Sequence, residues 1–588
     1  MSIIAAFVVP HPPLVVPGVG SQDDLAKVAR TVAAYEEVSR RISALAPDTL
    51  VISSPHVEMY ADYLHVAGGQ GARGSFARFG APQARCEVTY DQEFVRALCE
   101  AARREGIPAG TAGERSPELD HGTIVPLHFI WQAWDAVGSG AGSGADTGAA
   151  AAGAGVDEVA ATAGARIAGG VGAPSPAPRP RVVRLGISGL SPLAHYRMGQ
   201  LVARVADALG RRVVYVASGD LSHKLLAEGP CGFAAEGPQF DAAACEAFRT
   251  GDFLQLMTLD PGFCERAAEC GLRSFIMMAG ALDRTPVTPE LLSHEGPFGV
   301  GYGVAAFTPT EGASSDPARD FDEQYLAWHE RDMARRRAQE SPWVALARRA
   351  LEAYVTRGER VSARAELDAM AQAADAQGEA ARDGGDVKAD AAPTDAGGAG
   401  VDATREQGMQ SSAAREQGAK TGTRHAAPAF ASNTPDACHP LTPHVRAELE
   451  GTRAGCFVSL KKDGQLRGCI GTTGPTKGSL AEEICANAVA AGTRDPRFDP
   501  VRPEELPELV YDVDVLGTPE PVADARELDA RRFGVIVSAS GGRRGLLLPD
   551  LDGVDTVEEQ VRIAARKGGI DRTRDRVSLE RFEVTRHL

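Results

Sequence analysis

The sequence predicts an α/β protein whose N-terminal half is built on a largely parallel β-sheet flanked by helices. Residues 3–9 and 49–53 are short apolar runs with the length of buried strands. The segment between them, DDLAKVARTVAAYEEVSRRISAL, has apolar residues at helical spacing. The resulting β-α-β unit requires parallel strands. A further strand is predicted at 212–217, after a second helical segment.

Composition limits the classes of function. The 588 residues are 43% hydrophobic and 24% charged, so the chain can fill more than one core. The net charge of −17 and the absence of a long basic run argue against nucleic-acid binding. The chain has no run of about 20 apolar residues and no signal-peptide pattern, so we expect a cytoplasmic protein without membrane contact. Ten cysteines without CxxC pairs indicate reduced thiols.

Two stretches of low complexity interrupt the sequence. Residues from about 137 to 180 are rich in Gly and Ala and predict a flexible insertion. Residues from about 373 to 436 mix Ala, Gly, Asp, Gln and Thr without a helical apolar stripe. The second stretch is either an interdomain linker or an insertion early in a second domain.

Three histidines, His11, His56 and His223, each follow a predicted strand. Ligands of open α/β sheets bind beyond the carboxyl ends of the strands, so we expect these side chains to converge. Imidazole is a common ligand of Zn, Cu, Fe and Ni, and two histidines with one carboxylate suit non-haem Fe(II). The sequence therefore predicts a metal site at this edge of the sheet.

A fourth histidine, His121, follows Asp120 in the segment ELDHGTIVPLHF. We interpret His121 as a group that orients a substrate oxygen, with Asp120 holding its tautomer. The alternative is that Asp-His-Gly is an ordinary turn or helix start. His128 lies in an apolar context and is expected in the core.

A Gly-x-Gly-x-Gly pattern occurs at Gly299, Gly301 and Gly303. The residues after it predict a strand and not a helix, which argues against a phosphate-binding loop. Glycines in such a strand indicate close approach of another part of the backbone.

The motifs VVPHPP, SSPH, DHGTIVPL, SGDLSH and CGLRSFIMMAGAL, in this order, resemble those of the class III extradiol dioxygenase superfamily. This LigB-type fold also contains the Memo proteins. The resemblance covers residues 1–310 apart from the first low-complexity stretch. It implies that His11 and His56 bind a metal, that His223 is the acid–base histidine and that His121 contacts substrate. It also implies an Fe(II)-dependent oxidoreductase that acts on a small molecule.

The resemblance leaves the third metal ligand open between two adjacent residues. In the dioxygenases a glutamate precedes the IMMAGAL-like helix, which implies Glu269 here. Cys270-Gly271 instead resembles the Memo branch, where a cysteine replaces that glutamate and the counterpart of His223 joins the site. A carboxylate would suit Fe(II) with open positions, whereas histidine and cysteine ligands suit Cu or Zn. We favour Glu269 slightly, and we expect only one of the pair to face the histidines because neighbouring side chains of a helix diverge by about 100°.

The second half contains a predicted helix over 341–355 and a predicted β-hairpin, CFVSLKKDGQLRGCIGTTGP. Its Asp-Gly pair is a signal for a two-residue type I′ turn. Such a turn places Val458 opposite Cys469 and Cys456 opposite Gly471. We therefore expect no disulfide between the two cysteines.

The stretches LRGCIG, RDPRF and RRGLLLPDL resemble the AMMECR family, of which LRGCIG is the signature. The resemblance covers 341–588 apart from the second low-complexity stretch, and it implies a C-terminal α+β domain. Arg467 and Cys469 share a strand face, and a thiol near Arg467 and Arg494 or Arg497 would have a lowered pKa and act as a nucleophile. We favour the alternative, that Cys469 is a packed small residue, because no histidine base lies nearby in sequence.

Residues 311–340 are expected to connect these two domains. The fusion resembles the AmmeMemoRadiSam systems, which implies a radical-SAM protein as a partner. Two classes of function follow. One is a metal-dependent oxidoreductase, and the other is a non-catalytic metal-binding module that serves the radical-SAM partner.

Overall fold

The computed structural model describes residues 2–138, 178–383, 441–551, 554 and 556–588. Most of both low-complexity stretches lies outside the described residues. The chain divides into two compact units, Met1–Asp332 with Asp463–Gln465, and Met333–Lys462 with Leu466–Leu588.

The first unit contains the predicted sheet. Its strands are β1 (Ile3–Val9), β2 (Thr49–Ser54), β3 (Leu64–His65), β4 (Gly71–Phe76), β5 (Ala81–Thr89), β6 (Ala109–Gly110), β7 (Arg181–Gly186), β8 (Val213–Ser218), β9 (Val287–Glu295) and β10 (Tyr302–Pro309). Its helices are α1 (Gln22–Lys27), α2 (Ala29–Leu45), α3 (Gln92–Arg104), α4 (His121–Gly138), α5 (Pro192–Leu209), α6 (Glu236–Thr250), α7 (Leu254–Met257), α8 (Pro261–Ala267) and α9 (Leu272–Ala281). Helix α10 (Phe321–Gln339) follows.

The main sheet has six strands in the order β7-β2-β8-β1-β10-β9. The pairs β2–β7, β2–β8 and β1–β8 are parallel, whereas β10 is antiparallel to both β1 and β9. The predicted largely parallel sheet is therefore confirmed, with an antiparallel pair added at one edge. Strands β3 and β6, and strands β4 and β5, form two separate two-stranded sheets.

Alternation along β1 explains why both faces of the sheet are covered. Ala6 and Val8 point into the core that contains α5 and α9, while Phe7 and Val9 point into the core that contains α2 and α4. Every residue of β2 and β8 is buried. Near-continuous apolar runs of this kind are typical of parallel strands covered on both faces.

The second unit is α+β, as expected. Its helices are α11 (Pro342–Arg357), α12 (Ala363–Asp383), α13 (Pro443–Gly451), α14 (Leu480–Thr493) and α15 (Val557–Lys567). Its strands are β11 (Cys456–Lys462), β12 (Gln465–Gly471), β13 (Val510–Leu516), β14 (Glu520–Val522), β15 (Gly534–Ala539), β16 (Arg544–Leu547), β17 (Val577–Phe582) and β18 (Val584–His587). They form two four-stranded sheets, β12-β11-β13-β18 and β14-β17-β15-β16.

Helix α12 extends into the second low-complexity stretch. The sequence has no helical apolar stripe from about residue 373, and α12 continues to Asp383. Its sequence, ARAELDAMAQAADAQGEAARD, is rich in alanine, which has the highest helix propensity. Intrinsic propensity therefore extends the helix where the apolar stripe ends.

The β11–β12 hairpin has the predicted turn but not the predicted register. Asp463 and Gly464 both have positive φ, 51° and 76°, as a type I′ turn requires. The Ser459 hydroxyl donates to Cys469 Sγ at 3.3 Å, so Cys469 lies on the face of Ser459. The predicted pairing of Val458 with Cys469 is wrong, because a shift of one residue moves a side chain to the other face of the strand.

None of the helices in the described part of the chain has the length and apolar character needed to cross a bilayer.

Candidate metal centre

Three neighbouring strands of the main sheet end at the same edge, and each is followed by a polar residue at the same offset. His11 lies two residues after β1, His56 two residues after β2, and Asp220 two residues after β8. The strand order places β2, β8 and β1 side by side. His223, which was expected to be equivalent to His11 and His56, lies three residues beyond Asp220. Asp220 itself was missed, although the motif SGDLSH contains it.

Three imidazoles form the centre of the site. His56 Nε2 lies 3.0 Å from His11 Nε2. The ring of His121 is 3.9 Å from the His56 ring and 5.5 Å from the His11 ring, measured between centroids. One nitrogen from each of the three lies within 4.8 Å of the others. Partial burial and the neighbouring imidazoles lower the pKa of both His56 and His121, so these rings are neutral near pH 7.

The tautomer of His11 follows from its neighbours. The Ser218 hydroxyl donates to the Gly122 carbonyl at 2.6 Å. That hydroxyl has only one hydrogen, so it must accept the hydrogen bond that His11 Nδ1 donates at 3.1 Å. His11 Nδ1 is therefore protonated, and the lone pair of Nε2 points toward His56. A ligating histidine is commonly fixed in this way through its second ring nitrogen.

A thiol and a carboxylate complete the surroundings of His11. Cys270 Sγ lies 3.7 Å and Asp220 Oδ2 lies 3.8 Å from His11 Nε2. The Asp220 amide donates to Cys270 Sγ at 3.3 Å, and Asp220 Oδ1 accepts from the His11 amide at 2.8 Å. Burial raises the pKa of the Cys270 thiol well above its usual value, so ionisation of this thiol needs a nearby cation.

Glu269, the favoured third ligand, lies outside both groups of converging ligand atoms found among the described residues. Its Oε2 accepts from the Leu272 amide at 2.7 Å, at the start of α9. Glu269 and Cys270 both lie in the turn between α8 and α9. The expected divergence of about 100° between neighbouring side chains of a helix therefore does not apply, because neither residue lies in a helix.

His223 lies beside the site, next to the carboxylate of Asp220. Its Nε2 lies 3.8 Å from Asp220 Oδ2, on the same carboxylate that faces His11. The nearby Asp220 carboxylate raises the pKa of His223. Burial alone would raise the pKa of Asp220, but His11 and His223 lower it overall. The structure places His223 beside the cluster but in neither of the two groups of converging ligand atoms.

Asp120 has a different task from the one expected. Its Oδ1 accepts from Ser54 Oγ at 2.8 Å and from the Thr123 amide at 3.0 Å, and its Oδ2 accepts from Thr123 Oγ1 at 2.7 Å. Its described hydrogen bonds go to these groups and not to the His121 ring. Asp120 therefore fixes the first turn of α4, and thereby the position of His121 at its start.

Gly122 permits the close approach of α4 to β2. A Cβ at this position would lie 2.3 Å from Ser54 Oγ and 3.2 Å from His56 Cδ2. Any larger residue would push His121 away from His56.

Two of the ligand-atom separations are close to those of ligands that share one ion. Nitrogen and sulfur ligands bonded at about 2.1 and 2.3 Å in a tetrahedral zinc site lie roughly 3.3 to 3.6 Å from one another. The observed 3.0 Å between His11 and His56 and 3.7 Å between His11 and Cys270 are close to these values. Three imidazoles and a thiol are a soft donor set, which suits Cu or Zn better than Fe(II).

Two arginines of the predicted cleft in the second unit form ion pairs with carboxylates. Arg467 binds Glu505 through two hydrogen bonds of 2.9 and 3.0 Å, and Arg497 Nη2 lies 2.6 Å from Asp495 Oδ2. Neither Glu505 nor Asp495 was singled out from the sequence, although Asp495 is the aspartate of the RDPRF motif and Glu505 follows that motif in the chain.

The thiol of Cys469 does not have the lowered pKa that its interpretation as a nucleophile requires. Its amide donates to Asp495 at 2.9 Å, and its carbonyl accepts from Arg497 at 3.4 Å. Its hydrogen bonds among the described residues do not involve Arg467 or Arg494. Burial raises the pKa of the Cys469 thiol, which contradicts the predicted lowering. The guanidinium charges are neutralised by carboxylates, so the thiol behaves as a packed small residue.

Comparisons with known proteins agree with this architecture. A family model described as the catalytic LigB subunit of aromatic ring-opening dioxygenase matches residues 5–139 and 176–305, and a model of AMMECR1 matches residues 344–587. A protein of Clostridium acetobutylicum is 31% identical over 594 residues, which span 100% of this chain and 99% of that protein. The chain belongs to the family of proteins that join a LigB domain to an AMMECR1 domain. The predicted fusion is thus confirmed.

Other relatives match shorter parts of this LigB–AMMECR1 chain. A Thermotoga maritima protein is 59% identical over 144 residues, 24% of this chain and 82% of that protein. Among solved structures, an uncharacterised Pyrococcus horikoshii protein covers 42% of this chain and 88% of its own, with 22% identity and a TM-score of 0.26. An uncharacterised Escherichia coli K12 protein covers 52% and 99%, with 15% identity and a TM-score of 0.30.

Proposed function

We propose that the LigB domain is a metal-dependent oxidoreductase whose ion is bound by the imidazoles of His11, His56 and His121, with the thiol of Cys270, which belongs to the second group of ligand atoms around His11, as the fourth donor. The observation that carries this proposal is the convergence on His11 Nε2, which lies 3.0 Å from His56 Nε2 and 3.7 Å from Cys270 Sγ. Neutral imidazoles are the form that binds a metal, and the lowered pKa of His56 and His121 supplies it.

The donor set supports copper as the redox-active ion, with zinc as the redox-inactive competitor. Thiolate and imidazole ligands select Cu and Zn, and geometry must separate the two. A bound copper ion would supply one-electron chemistry at this position. Four protein ligands leave less space for a chelating substrate than the open site of a ring-cleaving dioxygenase does.

The residues around the ligands have distinct roles in this proposal. Ser218 holds the tautomer of His11, and Asp120 fixes the start of α4 and thereby His121. Asp220 lies between His11 and His223, so His223 is placed to take up or release a proton beside the centre. The Asp220 carboxylate raises the pKa of His223 and so favours the protonated form of this ring.

An Fe(II) centre is a second candidate, and it is favoured by one observation. Asp220 Oδ2 lies 3.8 Å from His11 Nε2 and belongs to the second group of converging ligand atoms, with His11 and Cys270. Asp220, rather than Glu269, would then supply the carboxylate that such Fe(II) sites use.

Metal titration of the full-length protein tests the proposal. Metal-free protein is titrated anaerobically with Cu(I), Zn(II) and Fe(II), and the bound ion is counted after desalting. We expect one ion per chain in the wild type and none in His11→Asn. The matched control is His128→Asn, since His128 bonds Gln132 at 2.9 Å and belongs to neither group of converging ligand atoms. Loss of metal in both variants, or in neither, would contradict the proposed ligand set.

Turnover separates an oxidoreductase from a module that only binds metal. The loaded protein is supplied with O₂ and an electron donor, and O₂ consumption is followed. Consumption by the wild type that is lost in His223→Gln, with metal content unchanged, supports the oxidoreductase. Stoichiometric metal retention without turnover, together with co-purification of a radical-SAM protein, would instead support a metal-binding module that serves such a partner.

A further inference from the structure

Hydrogen bonds fix the loop that carries Asp220 and His223, and they come from residues that are not proposed metal ligands. This loop, residues 219–225, follows β8. The Leu221 amide donates to the Gly301 carbonyl and the Gly301 amide donates to the Ser222 carbonyl, each at 2.8 Å. The Leu225 amide donates to the Gly299 carbonyl at 3.0 Å. The Gly-x-Gly-x-Gly segment thus runs alongside the loop, as the predicted close backbone approach requires.

A buried carboxylate also binds this loop. Asp241, on α6, is almost fully buried, and its Oδ1 accepts from the Ser222 amide at 2.9 Å. Its Oδ2 accepts from His294 Nε2, on β9, at 2.7 Å. Ser222 lies between Asp220 and His223 in the chain. Each oxygen of Asp241 therefore has one donor, and one of these donors fixes the peptide between the two functional side chains.

Gly301 provides the space that Asp241 occupies. A Cβ at position 301 would lie 2.0 Å from Asp241 Oδ2 and 2.7 Å from Asp241 Cγ. Real Cβ atoms do not approach other atoms so closely, so any side chain at Gly301 would displace the carboxylate. This contact accounts for the glycine at position 301 of the Gly-x-Gly-x-Gly pattern.

We propose that Asp241, His294 and Gly301 form a support that positions Asp220 and His223 beside the metal centre. The residues act through the Ser222 peptide and contact no ligand atom, so they are positioning residues. Displacement of Ser222 would move Asp220 away from His11 and uncover Cys270, whose Sγ accepts from the Asp220 amide at 3.3 Å. The functional part of this inference rests on the proposed metal site, whereas the position of the loop does not.

The first experiment measures alkylation of Cys270 by iodoacetamide in the metal-free, full-length protein, with each cysteine followed by peptide mass spectrometry. We expect Asp241→Asn to raise the rate at Cys270 by about 10-fold, because an amide cannot accept from both donors. The buried Cys86 serves as the internal reference for global opening. Asp91→Asn is the matched control, since Asp91 is a buried carboxylate that accepts from Thr49 at the opposite end of β2.

Further variants test whether the effect is specific to the Asp241 contact. Gly301→Ala should reproduce the effect of Asp241→Asn, because its methyl group displaces the carboxylate. In an Asp241→Ala background the same methyl group has space, so the double variant should be no worse than Asp241→Ala alone. His294→Asn, a half-exposed position, should give a smaller effect in the same direction and guards against failure to fold. A rate at Cys270 that stays within about twofold of wild type in Asp241→Asn, or that rises equally at Cys86, overturns the proposal.

The second experiment measures metal affinity. The dissociation constant of the wild type for Zn(II) is compared with that of Asp241→Asn and of Asp91→Asn. We expect a rise of about 10-fold or more in Asp241→Asn, which is typical when a residue that supports a metal site is lost, and no such rise in Asp91→Asn. Equal affinities would overturn the functional part of the proposal. A wild type that binds no metal would instead refute the proposed function, while the alkylation result still decides whether Asp241 positions the loop.

Discussion

His56 Nε2 lies 3.0 Å from His11 Nε2, although 45 residues separate these two histidines in the chain. The contact depends on the sheet, because β1 and β2 are both neighbours of β8 and all three end at one edge. Each histidine needs only to follow its strand at the same offset.

The first prediction separates the two adjacent residues in the turn before α9. Cys270→Ser should raise the dissociation constant for Cu(I) or Zn(II) by at least about 10-fold, because serine is a poor ligand for soft ions. Glu269→Gln should retain metal and lower the free energy of unfolding by about 1 kcal/mol, since only an amide contact of α9 is weakened. Equilibrium dialysis and urea unfolding check both effects. Metal loss in Glu269→Gln with retention in Cys270→Ser would restore the carboxylate as the ligand.

The second prediction concerns acid stability. His195 is fully buried; its Nδ1 donates to the Ser191 carbonyl at 2.9 Å and its Nε2 accepts from the Ser188 amide at 3.1 Å. Burial lowers the pKa of His195 to about 3. The unfolded chain therefore binds a proton near pH 6.5 that the folded chain refuses, so stability falls as pH decreases through this window. From pH 7 to pH 5 this group contributes a loss of about 2 kcal/mol.

Urea unfolding at the two pH values measures that loss. In His195→Asn the decrease between pH 7 and pH 5 should be smaller than in the wild type by about 2 kcal/mol. His444→Asn, at an exposed position, serves as the control. Equal pH dependence in wild type and His195→Asn would show that His195 does not remain neutral in the fold.

The third prediction concerns the contact between α5 and α9. A Cβ at Gly280 would lie 1.8 Å from the Tyr196 carbonyl oxygen, and one at Gly199 would lie 1.9 Å from the Met277 carbonyl oxygen. Gly280→Ala should therefore cost about 3 kcal/mol of unfolding free energy, because backbone atoms must separate. Gly358→Ala, a helix C-terminal glycine with φ of 72° and no atom near its absent Cβ, should cost only about 1 kcal/mol. Similar losses in the two variants would contradict close packing of the helices.

The fourth prediction concerns thiol reactivity in the AMMECR1 domain. Burial raises the pKa of Cys469, whereas Cys231 in the LigB domain is exposed. Iodoacetamide at pH 7.5 should therefore modify Cys231 well before Cys469, because the thiolate is the reactive form. Peptide mass spectrometry gives the two rates in one sample. Faster modification of Cys469 would revive its interpretation as a nucleophile.

Features with a regular local signal could be predicted from the sequence. Apolar runs of strand length identified β1 and β2, and the rule for strand ends placed His11 and His56 together. The Asp-Gly pair gave the turn of the hairpin. Each of these depends on a short segment and on one general property of sheets or turns.

Features decided by irregular backbone could not be predicted in the same way. Glu269 and Cys270 lie in a turn without periodicity, so the direction of each side chain depends on the packing of α8 and α9. Within SGDLSH it is Asp220, and not the predicted His223, that has the offset of His11 and His56 from its strand. Cys469 was assigned to the wrong face because the pairing of β12 with β11 differs by one residue from the pairing that the turn alone implies.

The position of β1 between β8 and β10 determines when the LigB domain can form during synthesis. Strand β1 is synthesised before both of its neighbours, and it gains its parallel neighbour only with β8 and its antiparallel neighbour only with β10, which ends at Pro309. Contacts between such distant segments slow folding, and an unpaired central strand is prone to aggregate. Nascent chains that stall before β10 are therefore expected to be the main substrates of chaperones and proteases for this protein.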